Sequence, residues 1–207
     1  MWRCCAVEME RAPEGRPAAV ALVASAGGLD AISRILSTLE AGLCAPVIVL
    51  VHLLPERRSL LPELLGRQTE LHVKQAEDGD VLEDGCVYVA GPGAHLVVTG
   101  DHRLRLDDGP PVHHARPAAD VLLTSLAGAY DGSCLAVVLT GAGTDGADGA
   151  RAVKAAGGRV MAQDESSSEH FGMPGAAIAT GSVDDVLSLA EIAPAIAAFA
   201  VEMGAPS

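Results

Sequence analysis

Apolar residues occur in short continuous runs, and each run is followed by a segment in which apolar positions are more widely spaced. The first run, AAVALVA, covers residues 18–24, and the segment LDAISRILSTLE follows it at residues 29–40. A second run, APVIVLVH at residues 45–52, leads into a loop and a short helical pattern at residues 53–67. Continuous apolar runs are typical of strands buried on both faces, and the wider spacing is typical of amphipathic helices. The chain is therefore predicted to alternate between strands and helices.

The alternation is interrupted at residues 85–107, where short alternating runs are separated by GPG and TGDH. This pattern predicts an antiparallel hairpin inserted in the series. Further helices are predicted at residues 116–130, 145–158, 173–181 and 189–203, and further strands at residues 71–76, 134–140 and 159–164. Strands joined by helices pair in parallel through right-handed crossovers. We therefore predict an α/β fold with a doubly wound, mostly parallel sheet, helices on both faces and an inserted antiparallel hairpin.

Length and composition predict one folded domain. The chain has 207 residues, of which 49% are hydrophobic and only 2% aromatic, which is enough for a single sizeable core. We assign residues 18–203 to this domain and expect residues 1–17, which end in a Pro/Gly-punctuated stretch, to form a disordered leader. No apolar run has the length of a signal-peptide core or a membrane span, and the five cysteines form no C-x-x-C pair. A cytoplasmic protein without membrane insertion is expected.

The formal net charge of −13 narrows the range of partners. A strongly acidic surface repels anionic lipids and the phosphate backbone of nucleic acids. No nucleic acid is therefore expected as a partner, although the charge alone identifies no substrate.

The loop TGAGTDG at residues 140–146 allows more than one interpretation. Its three glycines have the G-x-G-x-x-G spacing of dinucleotide-binding loops, it lies between a predicted strand and helix, and Asp164 follows its last glycine by 18 residues. However, the loop comes late in the chain, and Asp145 would place a carboxylate where a pyrophosphate must approach bare amides. Dinucleotide binding is therefore a remote alternative. Another alternative is a plain strand-to-helix turn with Asp145 as the helix N-cap.

Three polar residues that follow predicted strands have the chemistry of a hydrolytic triad. Ser25 lies in the turn ASAGG after the first strand, His52 ends the second strand, and Asp145 lies in the glycine loop. A serine attacks a carbonyl carbon when a neutral imidazole takes its proton and a carboxylate orients that imidazole. Functional groups collect at the carboxyl ends of parallel strands. The three side chains can therefore form a nucleophilic site if their strands are close together.

Six motifs stand in order along the chain: VASAGG at residues 23–28, VHLLP at 51–55, AEDGDVLEDGCVYVAGPGAHL at 76–96, RPAADVLLTSLA at 116–127, VVLTGAGTDGADGARAVKAAGG at 137–158 and AQDESSSEHFGMPGAAIATG at 162–181. With these motifs, the chain from about Val20 to Ile196 resembles the catalytic domain of the chemotaxis-receptor protein-glutamate methylesterases, the CheB family. The resemblance covers nearly all of the predicted domain.

The resemblance implies an activity and a role for each residue of the triad. It implies hydrolysis of glutamyl methyl esters on chemoreceptor helices with release of methanol, often together with deamidation of glutamine, and it implies no metal or organic cofactor. Ser25 matches the family's nucleophile, His52 its general base and Asp145 its orienting carboxylate. Weaker assignments, as oxyanion-binding or near-site residues, fall on Ala26, Gly27, Ala142, Gly143 and Met173.

The chain departs from the family pattern beside the triad. Ala26, Val51 and Ala142 stand where the family usually has Thr, Gln and Met, and HLLP replaces its HMP. These changes support an alternative in which the domain is a degenerate, non-catalytic scaffold that binds receptors. The family's typical member also carries an upstream receiver domain, for which residues 1–17 are too short. Control by a response-regulator receiver is therefore expected to be absent or supplied by a separate chain.

Arg57, Arg58 and Arg116 are basic residues in an otherwise acidic chain. We expect them to form a local positive rim that docks a glutamate-rich receptor helix. The alternative is an ordinary solvated loop.

The histidines other than His52 predict no metal site. They share no H-E-x-x-H or H-x-x-E-H motif and no helical i, i+4 pair. These residues are His72, His95, His102, His113, His114 and His170.

Overall fold

A computed structural model describes residues 17–52 and 60–204, which form nine strands and six helices. The strands are Ala19–Ala24 (β1), Val47–Val51 (β2), His72–Gln75 (β3), Cys86–Val89 (β4), His95–Val98 (β5), Leu104–Asp107 (β6), Cys134–Val138 (β7), Arg159–Gln163 (β8) and Asp185–Leu187 (β9). The helices are Gly28–Leu36 (α1), Leu61–Gly66 (α2), Ala119–Tyr130 (α3), Ala147–Ala155 (α4), Gly172–Ala179 (α5) and Leu189–Gly204 (α6). Residues 1–16 of the expected leader lie outside the described residues.

Seven of the strands form one sheet in the order β3-β4-β2-β1-β7-β8-β9, in which all neighbours are parallel. The chain winds from β1 to one side through β2, β3 and β4, and then to the other side through β7, β8 and β9. In open α/β sheets, binding crevices form where the winding direction reverses, which here is at the carboxyl ends of β1 and β7. β5 and β6 pair antiparallel in a separate two-stranded sheet. The predicted fold class is confirmed.

Two strands of the large sheet differ from the prediction. The prediction of a hairpin over residues 85–107 is wrong in its first part, because β4 lies in the parallel sheet between β2 and β3. All four residues of β4 are buried, and pairing with two neighbours satisfies the backbone polar groups on both of its edges. β9 was not predicted, because a three-residue strand that contains Asp185 has no apolar run. It pairs with β8 and ends the sheet.

The side chains of β1 alternate between two hydrophobic cores. Leu22 packs in the core formed with α1, α2 and α6. Ala21 and Val23 pack in the opposite core, which includes α3, α4, α5 and the β5–β6 hairpin. All six residues of β1 are buried. Because burial of apolar surface is the main stabilising contribution in such a core, the carboxyl end of β1 is held firmly in place.

The longest of the described helices is α6, with 16 residues. Its buried residues Ile192, Ile196 and Phe199 recur at helical spacing and pack against the sheet. Within residues 17–52 and 60–204, none of the helices has both the length and the apolar character that a membrane crossing requires.

Helices α3 and α4 approach each other closely because a glycine lies at their contact. An ideal Cβ at Gly149 would lie 2.6 Å from Leu123 Cβ and 3.3 Å from Asp120 Cα. Neither of these atoms can move without moving the backbone of α3. The absence of a side chain at Gly149 therefore sets the distance between the starts of the two helices.

Replacement of Gly149 by Ala tests this contact. We expect the variant to lose about 1–3 kcal/mol of unfolding free energy through overpacking, although Ala favours helix formation. The matched control is Gly128→Ala in α3, whose added methyl group has no neighbour within 4 Å. This control should gain up to about 1 kcal/mol. Urea denaturation measures both changes, and equal stabilities of the two variants would contradict the close contact.

Candidate active site

Ser25, His52 and the loop at residues 140–146 lie at one edge of the sheet because their strands are neighbours. β1 pairs with β2 on one side and with β7 on the other. The N–H of Ser25 donates to the carbonyl oxygen of Thr140 at 3.0 Å, and the N–H of His52 donates to that of Ala24 at 3.1 Å. The backbone therefore fixes the positions from which the predicted site residues project.

Glycines allow these segments to approach more closely than side chains would permit. An ideal Cβ at Gly141 would lie 2.3 Å from Met173 Sδ and 2.9 Å from Ser25 Cβ. Gly27 has a φ of +78°, and a Cβ there would lie 2.7 Å from a carboxylate oxygen of Glu169. Met173, which was predicted near the site, is fully buried against this contact. The glycines of both turns therefore serve close packing around Ser25.

The carboxylate of Asp145 makes three hydrogen bonds at the centre of the site. Its Oδ2 lies 2.8 Å from His52 Nε2 and accepts the N–H of Ala119 at 2.8 Å. Its Oδ1 accepts the N–H of Asp120 at 2.9 Å. An ionised carboxylate can only accept, so Nε2 of His52 donates the hydrogen and Nδ1 keeps its lone pair. The imidazole is thereby held in one tautomer.

These hydrogen bonds determine the charge of Asp145. Burial alone favours the neutral acid, but the bonds from His52 and from the N–H groups of Asp120 and Ala119 outweigh it and hold the pKa of Asp145 below its usual value. The two amides belong to the first turn of α3, whose partial positive charge also favours an anion. Asp145 is therefore a carboxylate at neutral pH.

Asp120 forms the counterpart of this arrangement at the start of α4. Its Oδ1 accepts the N–H of Gly146 at 2.9 Å and that of Gly149 at 2.7 Å. Asp145 therefore caps α3, while Asp120 of α3 caps α4. The N-cap of α4 is Gly146 and not Asp145, so the plain-turn interpretation is wrong in that respect. The dinucleotide interpretation also fails here, because Asp120 occupies the amides that a pyrophosphate would need.

Asp120 differs from Asp145 in its affinity for a proton. Burial raises the pKa of Asp120, and the negative charge of Asp145 acts in the same direction, although the amides of Gly149 and Gly146 oppose the shift. The two acids therefore form a coupled pair in which Asp145 carries the charge more readily.

The hydroxyl of Ser25 has no hydrogen-bond partner among the described residues. The structure thus brings His52 and Asp145 into direct contact and places Ser25 at the adjoining strand end without a bond to His52. Several main-chain N–H groups around Ser25 and the glycine loop likewise have no acceptor in the described part of the chain, among them those of Ala26, Gly27, Ala142 and Gly143. Unpaired amides of this kind can stabilise an oxygen that gains negative charge.

A cavity of about 510 Å³ opens at this edge of the sheet. Its described lining includes His52, Asp145, Ala142 and Gly143, together with the turn at residues 113–117. The cavity therefore gives solvent and ligands access to both the His52–Asp145 pair and the glycine loop.

Of the three arginines predicted to form a docking rim, the structure describes only Arg116. It lies in the cavity wall, where its Nη1 donates to the carbonyl oxygens of Asp108 at 3.3 Å and Gly109 at 3.1 Å. Arg57 and Arg58 lie outside the described residues. The docking rim stays a prediction.

Thr140 is a site residue that the sequence pattern did not predict. Its Oγ1 donates to the carbonyl oxygen of Ala26 at 3.0 Å and accepts the N–H of His170 at 2.9 Å. Its own N–H donates at 2.9 Å to the side chain of Gln163, which is fully buried at the end of β8. A buried side-chain amide needs hydrogen-bond partners at fixed positions. Gln163 at the end of the apolar strand β8 was therefore the sequence feature that could have indicated this contact. Thr140 joins the turn after Ser25 to the segment after β8.

Comparison with known proteins gives concordant matches. A family model described as CheB methylesterase matches residues 20–196. A protein-glutamate methylesterase/protein-glutamine glutaminase 1 of Paramagnetospirillum magneticum is 42% identical over 182 residues, which cover 86% of this chain and 48% of that protein. A protein of the same name from Myxococcus xanthus is 44% identical over 187 residues, which cover 89% of this chain and 54% of that protein. The chain thus spans about half the length of these curated relatives.

The fold also matches a solved structure. The crystal structure of the Thermotoga maritima CheB methylesterase catalytic domain has a TM-score of 0.85 with this chain at 34% sequence identity. The match covers 88% of this chain and 98% of that domain. The similarity therefore extends over almost the whole of that catalytic domain.

The lowered pKa of Asp145 makes part of the fold's stability depend on pH. A carboxyl whose pKa is lowered by folding stabilises the fold above its unfolded pKa, and this contribution is lost as the pH falls through the folded pKa. We expect Asp145→Asn to lower the unfolding free energy by about 1.5–3 kcal/mol at pH 7. The difference from the parent protein should close as the pH falls below about 4. Chemical denaturation between pH 7 and pH 3 measures this difference.

Asp120→Asn is the control for this experiment, because the pKa of Asp120 is shifted in the opposite direction. A group with a raised folded pKa makes the fold less stable as the pH rises through that pKa. Relative to the parent protein, this variant should therefore gain stability as the pH rises above about 4. A loss of stability in Asp145→Asn that does not change with pH would contradict the assigned charge states.

Proposed function

The chain belongs to the CheB methylesterase family, and we propose that it hydrolyses the methyl esters of glutamyl side chains in chemoreceptor-type signalling proteins and releases methanol. The observation that carries this proposal is the 2.8 Å contact between His52 Nε2 and Asp145 Oδ2 at the strand end next to Ser25. That contact leaves Nδ1 of a cavity-lining imidazole free to take a proton.

In the proposed reaction, Ser25 Oγ attacks the ester carbonyl carbon and its proton passes to His52 Nδ1. The resulting tetrahedral intermediate collapses when methoxide leaves and takes that proton as methanol, so that the glutamyl group remains on Ser25 as an acyl ester. Water then attacks this ester with His52 again as the base, which releases the glutamate carboxylate and restores the serine. The Ser25–His52 bond is expected to form when substrate binds, since catalytic hydrogen bonds often tighten only in the complex.

The unpaired amides offer stabilisation of the oxyanion in both tetrahedral intermediates. They include, within the described residues, the N–H groups of Ala26, Gly27, Ala142 and Gly143. Loss of one such donor typically lowers kcat by about 10²–10³-fold. Because the donors are main-chain groups, alanine at positions 26 and 142 supplies them as well as Thr or Met would. The departures from the family pattern are therefore compatible with an active enzyme.

Deamidation of receptor glutamines is proposed as a second reaction of the same site. The names of two relatives include protein-glutamine glutaminase. A primary amide has the same carbonyl geometry as a methyl ester, and protonation by His52 would allow ammonia to leave in place of methanol. The chemistry requires no additional residue.

We further propose that the reaction takes place in the cytoplasm and that a response-regulator receiver provides any control by phosphorylation. Buried Cys86 and Cys134 are free thiols, which agrees with a reducing compartment.

The Ser25 hydroxyl is unpaired within the described residues, and this observation favours the competing hypothesis of a receptor-binding scaffold without catalysis. The two hypotheses differ in turnover and not in binding.

Methanol release from a methylated chemoreceptor cytoplasmic fragment separates these hypotheses. We expect Ser25→Ala to lower kcat by at least about 10³-fold, because it removes the nucleophile while leaving the fold intact. The matched control is Ser168→Ala in the loop after β8, which should keep the parent rate. Binding of the fragment by all three proteins without methanol release would support the scaffold. Equal release by the parent protein and Ser25→Ala would contradict the assigned nucleophile.

The docking rim predicts an effect on KM. Replacement of both Arg57 and Arg58 by Glu should raise KM for the receptor fragment several-fold and weaken its dependence on salt, because fewer attractive charges remain to be screened. The control is Arg159→Glu, at the amino end of β8 and therefore at the opposite edge of the sheet. A KM and salt dependence unchanged in the double variant would contradict the rim.

A further inference from the structure

Asp120 Oδ2 is a buried oxygen without a hydrogen-bond partner among the described residues. Asp120 as a whole is only 7% exposed, and its other oxygen is fully used by two amides at the start of α4. A buried carboxylate oxygen that lacks a donor is costly, so it marks a position where a ligand can bind.

Two further ligand groups face this oxygen. The Nε2 atom of His113 lies 3.2 Å from Asp120 Oδ2, without the alignment of a hydrogen bond. A carboxylate oxygen of Asp148 completes the group, and the three ligand atoms all lie within 4.8 Å of one another. The three residues come from the turn before α3, from the first turn of α3 and from the first turn of α4. They converge from separate elements on one point.

We propose that His113, Asp120 and Asp148 bind a divalent transition-metal ion such as Zn²⁺. One imidazole and two carboxylates are a ligand set that Zn²⁺ accepts, whereas Mg²⁺ and Ca²⁺ prefer oxygen ligands alone. Around Zn²⁺, ligand atoms stand about 3.4 Å apart, given bond lengths of about 2.0–2.1 Å. The side chains of His113 and Asp148 are 46% and 66% exposed and can turn inward to reach this spacing. Water completes the coordination.

The local charge favours a cation at this point. The positive ends of α3 and α4 are already paired with Asp145 and with Oδ1 of Asp120, so they do not oppose it. A cation would stabilise the ionised form of Asp120, which burial disfavours. Arg151 is a competing cation among the described residues, and it contacts Oδ1 of Asp148, so that Oδ2 would be available to a metal ion. The positive charge of the bound ion would reduce the repulsion among the carboxylates of Asp120, Asp145 and Asp148.

The proposed ion would connect the cavity wall to both helix starts. His113 and Arg116 belong to the same turn, which lines the cavity together with His52. Coordination by Asp120 and Asp148 would fix this turn to α3 and α4. The site is separate from the proposed esterase chemistry, which uses no metal, and its occupancy is measurable without substrate.

Zn²⁺ titration by calorimetry and thermal unfolding tests the site. The protein should carry Cys4→Ser and Cys5→Ser, because cysteine thiolates are themselves Zn²⁺ ligands. We expect saturable binding of one ion and a rise in Tm of about 5 °C or more at a hundredfold excess over Kd. His113→Ala and Asp148→Asn should each raise Kd at least about tenfold and reduce the rise in Tm.

His114→Ala is the matched control, because His114 is exposed in the same turn but is not part of the ligand group. It should keep the Kd of the parent protein. The absence of saturable binding would overturn the proposal. Equal affinities of the His113, Asp148 and His114 variants would also overturn it, because the ion would then be bound elsewhere.

Discussion

The carboxylate of Asp145 is the group on which the site and the two helices beside it depend. It orients His52 and also accepts hydrogen bonds from the first amides of α3, which have no acceptor within their own helix. Asp120, which belongs to α3, in turn accepts hydrogen bonds from the amides of Gly146 and Gly149 at the start of α4. The N-terminus of a helix favours an anion, and here the protein supplies one for each of the two helices. The orientation of the imidazole is therefore determined by the packing of two helices and not by a flexible loop.

The features that could be predicted from the sequence are those that a local pattern determines. Strands buried on both faces appear as continuous apolar runs, and a polar residue directly after such a run must lie at the carboxyl edge of a parallel sheet. This rule placed Ser25 and His52 correctly at one edge of the sheet. Asp145 could be placed at the same edge, but its bond to the amide of Ala119 joins residues 26 positions apart and depends on how the helices pack.

The features that could not be predicted are those that tertiary contacts decide. The CVYV segment of β4 is a short continuous apolar run, but the GPG turn that follows it also fits a hairpin, and only its pairing between β2 and β3 assigns it to the parallel sheet. Asp120 lies in a helical pattern where an acidic residue is expected to face water. It is buried because another helix offers its carboxylate two amides. A partner group on another helix cannot be recognised from the spacing of residues along the chain. For the same reason, the group formed by His113, Asp120 and Asp148 was not predicted.

Thr140 joins the Ser25 turn to the segment after β8 through a single hydroxyl group, which donates to Ala26 and accepts from His170. The two segments consequently form one cooperative unit of local opening, because neither can leave the sheet edge without breaking the bonds at Thr140. A molecule that orders the segment around His170 also reduces the conformational freedom of Ser25. A substrate that then binds at Ser25 would lose less conformational entropy. Ligand binding to the segment around His170 and substrate binding at Ser25 would in this sense be thermodynamically linked.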